Sequence, residues 1–148
     1  MNNFKLCTAI RVQRGISLIE VLITVLVLSI GLLGLAGLQL TSLRNSQSAM
    51  ERSVGVVQTY SIIEAIRADA DSAKSGRFNL AFDSTPTGST FPAQALAEWR
   101  EQLALNLGES AVGSVNCTST SCAVIVQWND GRGSGGSDEQ QIITEVRL

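Results

Sequence analysis

Apolar and polar positions divide the chain into stretches of different period. From Ile16 to Leu38 the only side chains that are neither apolar nor Gly are Ser17, Glu20, Thr24 and Ser29. About 20 apolar residues suffice to cross a bilayer as a helix. At roughly 1.5 Å per residue, Ile16 to Leu40 spans about 37 Å. Backbone groups in lipid must bond to one another, so the segment is expected to be helical. Its one ionisable residue is Glu20, near the start, which needs the interface or a partner. Gly31, Gly34 and Gly37 follow at three-residue spacing. Small residues favour close helix packing in membranes, and the same glycines weaken the helix, so packing and local loosening are both open readings.

From Thr41 the sequence turns polar but keeps a helical period. Leu43, Met50, Val54, Val57 and Ser61 fall near one face, with Val56, Tyr60, Ile63 and Arg67 beside it. The region from Leu43 to Met50 is thinly apolar and is expected to be exposed or to touch other subunits, while the stripe widens through Ile62 and Ile66, so 54–66 is expected to carry the globular part. Asp69, Asp71, Ser72 and Ser75-Gly76 favour turns and predict a helix end near Ala70. Residues 71–91, with Gly76, Pro86, Gly88 and many Ser and Thr, read as a loop region. A second helix is expected over 92–107. Pro92 suits its first turn, Leu96, Trp99, Leu103 and Leu107 form its apolar stripe, and Gly108 stops it. Trp99 reads as core.

Strands are predicted at 113–118, 123–128 and 141–148. Val124, Val126 and Trp128 alternate with Ala123, Ile125 and Gln127; Ile142, Thr144, Val146 and Leu148 alternate with Ile143, Glu145 and Arg147. Asn129-Asp130-Gly131 opens a Gly-rich loop expected to be flexible. It lacks the Lys and the strand-to-helix context of a phosphate cradle. The expected class is α+β: one long helix, its outer half packed on a small antiparallel sheet with one extra helix.

Charge and composition narrow the function. The first fifteen residues carry Lys5, Arg11 and Arg14 and no acid, which places them on the cytoplasmic side of a membrane. A secretory signal peptide would have a shorter apolar region and a small-x-small cleavage site. The 148 residues suit one small domain. Without the basic leader, eight Lys and Arg remain against thirteen Asp and Glu. Lys74, Arg77, Arg100, Arg132 and Arg147 are scattered over 71–148, so no basic stripe for nucleic acid is expected and DNA uptake is disfavoured. The chain has no His, the side chain most used in metal sites and acid–base catalysis. It contains no G-x-x-x-x-G-K, no G-x-S-x-G and no metal-spaced cluster. The expectation is a non-enzyme without cofactor or metal.

One motif is specific. Arg14-Gly15-Ile16-Ser17, followed by Leu18-Ile19-Glu20, resembles the prepilin cleavage motif of type IV pilins and type II secretion pseudopilins. Leader charge, Gly, apolar run and Glu sit at the family's offsets; the usual Phe after the cut is replaced by Ile16. The resemblance implies cleavage between Gly15 and Ile16, methylation of the new amine on Ile16, and a role for Glu20 in subunit assembly. It also implies a ladle-shaped subunit with a cleaved leader (1–15), a transmembrane half-helix (16–40), a periplasmic amphipathic half-helix (41–70) and a globular head (71–148). Softer features resemble the minor pilins called PilV: the run Leu28 to Leu38, the helix with Glu98-Trp99 followed by Leu103 and Leu107, and the strand Val124 to Asp130. A Leu-Pro-Gly-Gly turn often seen after the Trp helix in that group is absent; Asn106-Leu107-Gly108-Glu109 stands there.

That resemblance implies a minor subunit of the bacterial inner membrane that primes type IV pilus assembly and ends in the fibre or at its tip. Its implied partners are other minor and major pilins, the prepilin peptidase, the inner-membrane assembly platform and a tip adhesin. A minor pseudopilin of a type II secretion system shares the N-terminus and is the alternative. Cys7 would be lost with the leader. Cys117 and Cys122 would remain in an oxidising compartment, flanking a four-residue turn, and are expected to form a disulfide.

Overall fold

The computed structural model describes residues 15–133 and 135–148. The expectations on Lys5, Cys7, Arg11 and Arg14 lie outside the described residues. The chain forms two compact units, one up to Gln39 and one from Leu40 to Leu148. Helix α1, Leu18–Ala68, contributes to both.

In the first unit, α1 begins after Ser17, whose carbonyl accepts from the Glu20 N–H (3.0 Å) and the Val21 N–H (3.2 Å). Every described residue of this unit is exposed. The polar residues of the apolar run turn back onto the helix. Thr24 Oγ1 donates to the carbonyls of Glu20 (3.0 Å) and Val21 (2.8 Å), and Ser29 Oγ donates to that of Val25 (2.7 Å). Such back-bonding satisfies hydroxyls that lipid could not.

The second unit holds the core. After Ala68, Asp69 leaves helical geometry and caps a short helix α2, Ala70–Lys74, its side chain accepting from the Ser72 N–H at 3.2 Å. Asp at this position favours a cap over continued helix. Gly76, at φ 76°, then takes the left-handed conformation that ends α2. The stretch 71–91 is therefore not wholly loop. It contains most of α2, and Leu80 bridges Val115 through Leu80 N–H to Val115 O (2.8 Å) and Val115 N–H to Leu80 O (2.9 Å). Helix α3 spans Phe91–Leu107 with Pro92 in its first turn and Gly108 at its C-cap.

Three strands follow: β1 (Val112–Cys117), β2 (Ser121–Trp128) and β3 (Gln140–Arg147). They form an antiparallel sheet in the order β1-β2-β3. Each strand lies within two residues of its predicted start and one of its predicted end. Along β2, Cys122, Val124, Val126 and Trp128 are buried and the residues between them are not. They pack in one core with Val115, Leu96, Trp99, Leu103, Leu107, Phe78, Leu80 and α1 residues Ile62, Ile63 and Ile66. The α3 stripe is buried as its period requires, and Trp99 belongs to the core.

The expected face of α1 is corrected in part. Ile62, Ile63 and Ile66 are buried as expected, together with Ser48, Gly55 and Thr59, and the thinly apolar stretch with Leu43 and Met50 is exposed as expected, but Val56, Val57 and Tyr60 within 54–66 are exposed. The reason lies across the interface. A Cβ on Gly55 would sit 3.0 Å from Ile142 Cδ1 and 3.3 Å from Trp128 Cζ3. The sheet supplies the bulk, so the helix must supply small residues there. A second close approach involves Trp99. Its Nε1 donates to Gln58 O at 2.9 Å, and its ring occupies the place of a side chain on Gly113, where a Cβ would lie 2.3 Å from Cη2.

Candidate functional site: the N-terminal segment of the long helix

Gly15, Ile16 and Ser17 precede α1 in non-helical backbone, and Glu20 lies in the first turn. Ile16 is exposed. A Cβ on Gly15 would meet no described residue within 4 Å. Glu20 sits one helical turn from Ile16 by sequence, and a helix N-terminus favours a negative side chain. α1 is long and apolar enough to cross a membrane. Gly31, Gly34 and Gly37 lie in its unbroken part, each with open space where a Cβ would be.

The cysteines meet as expected. Cys117 and Cys122 are directly opposed across β1 and β2 and form a disulfide, with Cα atoms 4.0 Å apart. Both are buried. Thr118 closes the turn between them: its N–H donates to Ser121 O (2.8 Å) and its Oγ1 accepts from the Ser121 N–H (3.1 Å). The bond is remote in sequence from the N-terminal motif and pins the hairpin register.

Two polar anchors escaped sequence reasoning. The loop after β2 is tied down by Asp130, whose side chain is only 1% exposed. Its Oδ2 accepts from Ser48 Oγ (2.7 Å), Arg52 Nη2 (3.1 Å) and Arg52 Nε (3.3 Å). Ser48 and Arg52 are four apart on α1, a spacing that puts two donors on one face. The Asn-Asp-Gly turn signal masked this role. Arg100 on α3 is the second anchor. Its Nη2 donates to the carbonyls of Ala81 (2.8 Å), Phe82 (2.9 Å) and Ser84 (3.3 Å), holding that segment against α3. Burial lowers the pKa of Arg100, and the nearby Asp83 charge opposes the shift.

Among the described residues, no cluster of three or more His, Cys, Asp or Glu is placed to hold a metal ion. Residues 10–36 match a family model described as the prokaryotic N-terminal methylation motif. No curated protein and no solved structure matches the chain. The match covers the segment that holds Gly15, Ile16 and Glu20. It supports a type IV pilin-like protein, and with the apolar half of α1 it is consistent with membrane anchoring.

Proposed function

We propose that the chain is a minor pilin that acts in type IV pilus assembly through subunit packing. The leader 1–15 is removed between Gly15 and Ile16, and the new amine is methylated. Residues 16–40 span the inner membrane, 41–70 continue the helix into the periplasm, and 71–148 form the periplasmic head. The observation that carries this reading is the methylation motif, residues 10–36, running into an uninterrupted, exposed apolar helix with Glu20 in its first turn. The exposed row Leu43, Met50, Val57 and Tyr60 adds apolar surface for neighbouring subunits. The work is the presentation of complementary surfaces to other pilins; nothing in the motif calls for catalysis.

Glu20 has a physical task in this scheme. In a packed filament its end of the helix lies in a dry interior, where an unpaired carboxylate costs several kcal/mol, as does an unpaired amine. Pairing Glu20 with the Ile16 amine of a neighbour, or of its own chain, removes both costs, and pairing with a neighbour also sets the axial stagger. Glu20→Ala is expected to leave insertion and cleavage intact but to weaken recovery of partner pilins with a tagged chain from detergent extracts. Equal recovery together with normal piliation would refute the role. Intact-mass analysis of the native protein should show loss of residues 1–15 and gain of one methyl; Met1 retained in protein from pili would refute the processing.

The second reading is a minor pseudopilin of a type II secretion system, which the same motif favours equally. Deletion separates the two: loss of twitching supports the pilin, and loss of exoprotein secretion supports the pseudopilin.

A further inference from the structure

The two edges of the sheet are unlike. The β1 edge is covered, with Leu80 exchanging both backbone bonds with Val115 and Asn79 Oδ1 accepting from the Cys117 N–H at 2.7 Å. The β3 edge has no neighbouring strand among the described residues. Its hydrogen-bonding parity follows from the register. Leu148 N–H donates to Thr120 O at 3.0 Å, one step beyond the Ser121–Arg147 pair. Antiparallel bonding alternates along a strand. Residues 140, 142, 144 and 146 therefore bond to β2, and the backbone N–H and C=O groups of Gln141, Ile143, Glu145 and Arg147 face outward along the open edge.

Side chains repeat the asymmetry. The core-facing residues of β2 are fully buried, but Ile142, Thr144 and Val146 on the same face of β3 are only half covered. On the other face Ile143 is 66% exposed, with Glu145 and Arg147 beyond it. The strand has no Pro, and its charged residues, Glu145 and Arg147, leave the outward backbone groups open to a partner strand of matching charge.

We propose that the β3 edge is a docking site for an extended segment of another protein, added as an antiparallel fourth strand. Backbone groups at alternate residues select an extended chain over a helix. Charge selects its side chains: an acid opposite Arg147, a Lys or Arg opposite Glu145, and an apolar residue opposite Ile143. Apolar residues between these would cover Ile142 and Val146. The site is read from the sheet alone and does not depend on the pilin reading.

The test uses the full chain in detergent micelles and the end-blocked peptide Glu-Val-Lys-Thr-Val-Ile-Thr, in which Glu faces Arg147, Lys faces Glu145 and Val faces Ile143. Amide exchange at Ile143, Glu145 and Arg147 should slow roughly tenfold at about nine-tenths occupancy, with residues 142, 144 and 146 unchanged. Glu145→Lys should weaken this peptide roughly fivefold, and a peptide with Glu in place of Lys should restore binding. Ile143→Pro removes an N–H that bonds nothing within the sheet and should abolish the protection; the charge swap still decides if that variant disturbs the strand. Unchanged exchange at the three edge amides would overturn the proposal. So would protection that grows with protein concentration in the absence of peptide, because a second copy would then occupy the edge.

Discussion

Cutting the Ser48–Arg52–Asp130 clasp from its two ends should give unequal losses. Asp130 is buried, while the Arg52 side chain is 48% exposed. Arg52→Met leaves a buried carboxylate with Ser48 Oγ as its remaining side-chain donor among the described residues. A fully buried pair broken this way costs about 3–5 kcal/mol. Arg52 is half in water, so its attraction is already screened, and about 2 kcal/mol is the expected loss. Asp130→Asn removes the charge but keeps an acceptor for Ser48, so its cost should be smaller, about 1 kcal/mol. The double variant should then cost no more than Arg52→Met alone, because the neutral amide no longer needs the guanidinium. Denaturant unfolding of the full chain in micelles, followed by the fluorescence of buried Trp99 and Trp128, measures all four corners of the cycle. Three results would refute the reasoning: Arg52→Met within about 0.5 kcal/mol of the parent, Asp130→Asn as costly as Arg52→Met, or strictly additive losses.

Other expectations rest on separate contacts. Gly113→Ala places a methyl against the Trp99 ring and should cost about 1–3 kcal/mol, seen as a lower unfolding midpoint; a neutral result would mean the ring can shift. Cys122→Ser should lose about 2 kcal/mol by releasing the hairpin, and the parent chain without its leader should show no labelled thiol when denatured unreduced. Arg100→Ala should free the segment around Phe82, with faster protease cleavage near Asp83 and little change at β2; unchanged cleavage would show that the segment is held by other contacts.

The sequence by itself determined what depends on local period and short-range chemistry. A long apolar run with few polar breaks can only be a helix of that length. The α3 stripe and the alternation in β2 and β3 each bury one side of one element, so single-element periodicity placed them. The Cys117–Cys122 bond was legible because a short turn between strands brings its flanks together. The methylation motif was legible because its chemistry is read in a linear stretch. Tertiary structure decided what depends on the shape of a partner surface. Val56, Val57 and Tyr60 looked like part of the packing stripe of α1 over 54–66, but the sheet presents Trp128 and Ile142 at Gly55, and only Gly55 and other small residues let the backbone come close. Asp130 looked like a turn residue because its partners, Ser48 and Arg52, lie about eighty positions away in the chain. Periodicity within one segment carries no information about which distant surface will meet it, and packing at interior density selects the face that fits over the face that is most apolar.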